Sequence, residues 1–321
     1  MTNISLIKKD TSIKKRINLN KLITISVILL TLVISIFYSD EIAHSVKSGL
    51  RLCANVIIPS VFPFIILADF LIFAVDFSTL NFVPYLFEKI FKINKSGVYA
   101  LIIGFLCGFP LGVKTAKELY IAKELSKEET ERLIGFCNNT GPAFLVSGIG
   151  YGLRGDVSEG VFLYVIMIIS ALLVGYIFSL KSKPSVSSAQ FTKKYFSLTN
   201  SIRKAGNNTL TICAYLTFFA CFCGILRNIL GENLLYLFII PLLEVGSAAS
   251  ILSKTRLLPE ILSLALTAFA ICFSGLSVHL QALSFISDTD LKVKKYFAMK
   301  LIEGIFSFLL TFLLFPLLRF F

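Results

Sequence analysis

GFLCGFPLGVKTAKELYIAKELSKEETERLIGFCNNTGPAFLVSGIG, residues 104–150, holds two apolar segments, each interrupted in its middle, on either side of a charged, helix-prone stretch. In the first, Pro110 stands between Gly108 and Gly112, so a helical ladder loses a donor and gains flexible joints. In the second, Asn138, Asn139 and Thr140 run into Gly141 and Pro142, the pattern of one helix stopping and another starting at Pro142 as its first residue. Between them, Lys114 to Arg132 carries five basic and five acidic residues, and Ser126 followed by Glu129 forms a capping box that predicts a fresh helix start.

The surrounding chain is apolar. Of 321 residues, 56% are hydrophobic and 16% charged, and the mean hydropathy is +0.82. Apolar runs separated by short charged loops predict an all-α, polytopic membrane protein, because a helical span needs about 20 predominantly apolar residues. A β-barrel would show short alternating segments, which are absent. The formal charge of +12 sits in loops and points to topology and anionic lipid rather than nucleic acid. The seven cysteines lie in apolar segments without metal-ligand spacing, and His44 and His279 belong to no metal or catalytic motif. No cofactor, no metal and no enzymatic activity is expected. Ser274, Ser277 and His279 lie on one segment, where neighbours two apart do not share a helix face.

The order of segments predicts a basic cytoplasmic tail over 1–21, a first membrane half over 22–180, a polar cytoplasmic linker over 181–204, and a second membrane half over 205–321. The first half contains the broken segments 97–113 and 134–150, and placing 114–132 on the cytoplasmic side makes 97–113 a re-entrant hairpin. Asp69 is read either as a functional group or as a residue reaching the interface. Gly112 and Gly141 stand 29 residues apart, as do Gly246 and Gly275, so the halves read as two repeats with broken or re-entrant helices.

Lipid offers no partners to free backbone groups, so helix breaks at membrane depth persist only against protein or a water-filled cavity. Secondary transporters build solute sites from such breaks at the interface of inverted repeats. The ordinary alternative is that Gly and Pro are common in membrane helices and serve packing. The candidate solute-binding residues are Lys114, Asn138, Asn139, Thr140 and Gly141 in the first half and Glu244, Ser247, Ser274 and Ser277 in the second. Their amide, hydroxyl, ammonium and carboxyl groups suit a polar organic solute, and a nucleoside would be served as well as a flat dianion.

GFPLGVKTAKEL, FCNNTGPAFLVSGIG (residues 136–150) and LLEVGSAAS (residues 242–250) together resemble the YlbJ family of sporulation integral membrane proteins, also called stage V sporulation protein V, in the nucleoside-recognition or Gate-domain group. The resemblance covers most of residues 45–315. Lys114, Asn138, Asn139, Thr140, Gly141 and Glu244 fall in the family's marked segments, whereas Gly246 stands where a small polar residue is expected. The resemblance implies a carrier of dipicolinic acid toward the developing forespore, in the mother-cell-derived outer forespore membrane. The alternatives are a nucleoside-type solute carrier and a non-transporting assembly protein needed for sporulation. The expected partners are a small organic anion and membrane lipids, with a coupling ion and self-association into a homo-oligomer left open.

Overall fold

The computed structural model describes residues 19–74, 82–183 and 197–318, and residues 1–18 of the basic tail and most of the 181–204 linker lie outside them. The described residues contain helices and no strand. In chain order these are α1 (Leu19–Phe37), α2 (Ser39–Leu52), a π-helical turn (Cys53–Ile57), α3 (Ile58–Ala74), α4 (Phe82–Phe91), α5 (Gly97–Cys107), α6 (Leu111–Ile121) and α7 (Lys127–Cys137). A second π-helical segment (Ala143–Arg154) and α8 (Val157–Ser179) complete the first half. The second holds α9 (Leu198–Leu230), α10 (Leu234–Leu243), α11 (Val245–Leu252), α12 (Glu260–Phe273), α13 (Gly275–Ile286) and α14 (Lys294–Leu318). The expectation of an all-α, multi-pass membrane protein is borne out.

Five described stretches are long and apolar enough to cross a membrane: Ser39–Leu67, Val157–Ser179, Leu198–Leu230, Glu260–Ile286 and Lys294–Pro316. Leu173, Leu309 and Leu313 are exposed, as expected of side chains that face hydrocarbon. By contrast α5 has 11 residues, about 16 Å of helix, too short for a hydrocarbon core of about 30 Å.

Local chemistry sets the element ends. Ser126 accepts from the Glu129 amide and Glu129 accepts from the Ser126 amide (2.8 Å), so the capping box read from the sequence is formed. Asp156 caps α8 and Asn233 caps α10 in the same way. Ser197 caps α9, which therefore begins at Leu198 and takes in residues that read as linker. Ahead of Pro59, which has no amide proton to donate, the helix widens into the π turn at Cys53–Ile57, and Ser60 donates to the Val56 carbonyl (2.5 Å).

The interrupted segments fold onto one another backbone to backbone. The chain turns at Gly108–Pro110 so that α6 returns beside α5. A Cβ on Gly112 would lie 3.0 Å from the Gly104 Cα, and a Cβ on either residue would collide with the Cys137 carbonyl oxygen. At the tip, a Cβ on Gly141 would meet the Gly108 nitrogen (3.2 Å), the Leu106 oxygen (3.2 Å) and the Cys107 carbonyl carbon (3.3 Å). In the second half a Cβ on Gly275 would meet the Glu244 nitrogen (3.2 Å), the Leu243 oxygen (3.2 Å) and the Leu243 carbonyl carbon (3.3 Å). Both halves thus run short helix, break, short helix, then a second helix broken against the first break, then a long apolar helix.

At one end the halves are tied by charge. Lys117 bonds Asp288 (2.6 Å), Lys127 bonds Asp290 (2.7 Å), Tyr120 donates to Asp290 (2.7 Å), and the Lys292 amide donates to Glu131 (2.9 Å). This latch joins the α6–α7 region to the α13–α14 connection.

Two outcomes follow from these contacts. Gly104→Ala should lower stability by about 3 kcal/mol or more, because no flexible side chain can give way. Gly155→Ala, at φ +75° with nothing within 4 Å of the new methyl, should cost about 1 kcal/mol; thermal unfolding in detergent checks both. Lys127 and Tyr120 hold the Asp290 carboxyl below the usual carboxylate range. A lowered folded value means that this contribution is present above the unfolded pKa of about 3.9 and is lost as pH falls through the lower folded value. Protection of the 287–293 amides, taken relative to their intrinsic exchange rates, should therefore hold at neutral pH and fall in acid below about pH 4.

Candidate functional site

Where the breaks of the two halves meet, they line a narrow, partly open cavity of about 40 Å³. Its wall takes Leu106 to Phe109, Thr140, Gly141, Ala143 and Phe144 from the first half. From the second come Glu244, Val245, Gly246, Ser277, Val278 and Gln281, and Ile57, Val61, Phe64, Ile212 and Leu216 close the sides. A water needs about 10–15 Å³ by this measure, so the space holds about three waters and is too small for an aromatic dicarboxylate in this conformation.

Four helical segments begin at the breaks, and three of them bring their first turns into this wall: the π-helical segment at Ala143, α11 at Val245, and α13 at Ser277; α6 begins just beyond Phe109 and does not line it. Each helix N-terminus carries unsatisfied amides and roughly half a positive charge. The opposing C-termini of α5, α7, α10 and α12 end at the same breaks, and two have compensating groups. The Ser274 hydroxyl turns back onto the Ile271 and Cys272 carbonyls, and the Lys300 ammonium donates to the Asn138 carbonyl (3.0 Å).

Among the four N-termini only α11 has a side-chain cap. The Glu244 carboxylate, 3% exposed, accepts from the Gly246 amide (2.8 Å) and from the Ser247 amide. At α6, at the π-helical segment and at α13 the cap positions are Pro110, Pro142 and Ser274, and none makes a capping bond. Three buried polar atoms in the wall have no hydrogen-bond partner: Thr140 Oγ1, Ser277 Oγ and Gln281 Oε1. Their residues are at most 2% exposed, and an orphaned buried polar group is costly unless something else binds it.

Four of the residues singled out from the sequence, Thr140, Gly141, Glu244 and Ser277, therefore share one wall. Asn138 and Asn139 stand behind it: Asn138 donates to the Tyr296 hydroxyl (2.9 Å) and Asn139 to the Phe136 carbonyl (2.7 Å). Ser274 sits in the α12–α13 break at φ +79°. Ser247 lines a separate polar cavity of about 950 Å³ together with Ser48, Arg227, Lys254 and Arg256. Lys114 is not in either wall, and its ammonium lies 5.9 Å from the Phe285 ring centroid. Asp69 accepts from Ser201 (2.9 Å) and Lys204 (3.2 Å), a partly exposed pairing away from the cavity.

Behind the α7 break lies a fully buried group that the sequence reading passed over. Lys300 and Glu303, both 0% exposed at the side chain, pair at 2.9 Å, and Lys300 also reaches Asn139 Oδ1 at 3.5 Å. Its three ammonium protons thus serve Glu303, the Asn138 carbonyl and the Asn139 amide oxygen. Tyr296, one turn earlier, accepts from Asn138 and is bonded to His279 Nδ1 (2.9 Å). Two charges three residues apart in an apolar run were a readable signal, since ionisable residues at membrane depth face the protein interior.

A polytopic helical membrane protein with opposed helix breaks around a largely apolar cavity that holds a few polar groups is the class that these features define. No family model matches the chain, and no solved structure matches it. It is similar to sporulation integral membrane protein YlbJ of Bacillus subtilis (strain 168), 26% identical over 315 residues, which takes in 84% of this chain and 76% of the relative. The resemblance to the YlbJ family read from the sequence is borne out.

Lys300→Met would leave Glu303 buried without its cation and should cost about 3–5 kcal/mol. Adding Glu303→Leu should recover much of that loss, which a double-mutant cycle on thermal unfolding would register as strong coupling.

Proposed function

We propose that the protein is a membrane carrier of a small polar organic anion that acts in spore formation, and that the solute is dipicolinic acid moved toward the forespore across the mother-cell-derived membrane. The observation that carries the carrier reading is one cavity on which three helix N-termini and three orphaned polar atoms converge. Helix N-termini favour negative charge, and the orphaned hydroxyls and amide oxygen supply directional partners. The likeness to a sporulation integral membrane protein supports the sporulation setting. Dipicolinate comes from the family resemblance, as does the forespore membrane.

In this reading the two halves are inverted repeats, and the matched contacts of Gly141 and Gly275 support that. The narrow cavity corresponds to a conformation constricted around the site, and the polar cavity of about 950 Å³ gives the solute an aqueous approach. Lipids and a small anion are then the partners, and the protein acts as a carrier rather than an enzyme. One observation favours a second solute class. The cavity wall contains a carboxylate and no lysine or arginine, which would suit a neutral, nucleoside-type solute.

Purified protein in proteoliposomes should take up labelled dipicolinate saturably, with a nucleoside as weak competitor. Thr140→Val and Ser277→Ala should each raise KM several-fold while leaving the thermal transition in place. Strong competition by the nucleoside would favour the second class. Absence of uptake of either solute by folded protein would overturn the carrier reading in favour of an assembly role.

A further inference from the structure

We propose that Glu244 is the resident anion of this site. Its carboxylate holds the N-terminus of α11 when the site is empty, and a carboxylate of the arriving solute takes its place once Glu244 has accepted a proton, which couples movement of the solute to movement of one proton. The inference rests on the carrier reading and specifies its driving force.

Three features meet at this residue. The first is the capping geometry: both carboxylate oxygens lie on consecutive amides, Gly246 and Ser247, so Glu244 occupies the place that a solute carboxylate would take at a helix N-terminus. The second is the absence of a competing cation. Among the described residues Glu244 has no ion-pair partner, and the other titratable groups close enough to act on it electrostatically are Cys53 from the π turn and Cys223 from α9. α13 presents only the uncharged Ser277 and Gln281, and the α7 break presents Thr140.

The third feature is the set of orphaned atoms in the same wall. A protonated Glu244 is a poorer cap and a new O–H donor, and Gln281 Oε1, Ser277 Oγ and Thr140 Oγ1 are acceptors without a donor. The displaced side chain therefore has somewhere to go. Charge at the α11 N-terminus is conserved through the exchange, because one carboxylate leaves as neutral acid and another arrives.

The proton has a source. Ser247, on the first turn of α11, lines the larger polar cavity, while Glu244 lines the smaller one. Between them a Cβ on Gly246 would meet Leu52 (3.2 Å), which faces the larger space, and Leu216 (2.9 Å), which faces the smaller. Lys254 and Arg256 in the larger wall raise the local concentration of an anion on that side. The balance is one proton taken from that space onto a Glu244 oxygen and the same proton released when the solute leaves and the carboxylate returns to the Gly246 and Ser247 amides.

The test uses the full chain in proteoliposomes with labelled dipicolinate, the membrane potential clamped with equal potassium and valinomycin, and a pH-sensitive dye inside. One coupled proton across a gradient of one pH unit supports about tenfold accumulation. Wild-type protein should therefore accumulate the solute about tenfold toward the alkaline side, acidify the interior on addition of solute, and lose accumulation with a protonophore. Glu244→Gln should abolish both accumulation and acidification, and its residual solute affinity should no longer change with pH. Saturable wild-type uptake without acidification or gradient dependence would overturn the coupling and leave the carrier reading standing. Absence of wild-type uptake would remove the carrier reading and the coupling with it. Because the wild-type dye signal is decisive by itself, the outcome does not depend on the variant folding.

Discussion

A backbone inside a bilayer must find its hydrogen-bond partners in the protein, and the centre of this structure is the consequence. Helices that stop at Cys107, Cys137, Leu243 and Phe273 would each expose carbonyls and amides to hydrocarbon if they stopped alone. They stop in opposed pairs instead, Gly108 against Gly141 and Glu244 against Gly275, so that each break shields another. The long helices α8, α9 and α14 then form the apolar sides within which this polar centre can exist.

Where opposed breaks still leave polar groups over, side chains answer some and not others. Lys300 closes the end of α7, and Glu303 balances it within a volume that no water reaches. Ion pairs of this kind contribute little net stability compared with an apolar replacement, but they are intolerant of losing one member. Their value here is positional: the ammonium fixes Asn138 and Asn139, and through them the place of Thr140 and Gly141. The cavity side of the same break is left with unanswered hydroxyls, so the inner face of the turn is rigidly held and its outer face is chemically available.

The sequence disclosed the breaks more clearly than their assembly. Gly108-Phe109-Pro110 and Asn138 to Pro142 interrupt apolar runs with residues that interrupt helices for known reasons, and the Ser126–Glu129 box fixed a helix start. Glu244 was legible as a lone acid at depth. Convergence of helix N-termini from both halves was not legible, because it is a tertiary fact that joins the π-helical segment at Ala143 to α11 and α13 across more than 100 residues. The orientation of Lys114 was hidden for a similar reason: the rotation of short α6 about its axis is set by Gly112 pressing on Gly104 and Cys137, and this turns the ammonium toward Phe285. The start of α9 was obscured because Thr199, Asn200 and Ser201 look like linker until Ser197 is seen to cap them.

The backbone clasp at each pair of breaks also limits how the molecule can move. With no side chain between Gly108 and Gly141, there is no rotamer to flip and no soft contact to compress, so each half behaves mechanically as one block. Enlarging the central space then requires the blocks to rock against each other along their seam. The Lys117–Asp288 and Lys127–Asp290 pairs cross that seam at one end, and Asp69 with Lys204, Glu41 with Asn228 and Arg154 with Ser263 cross it elsewhere, so any parting must exchange polar contacts at several points.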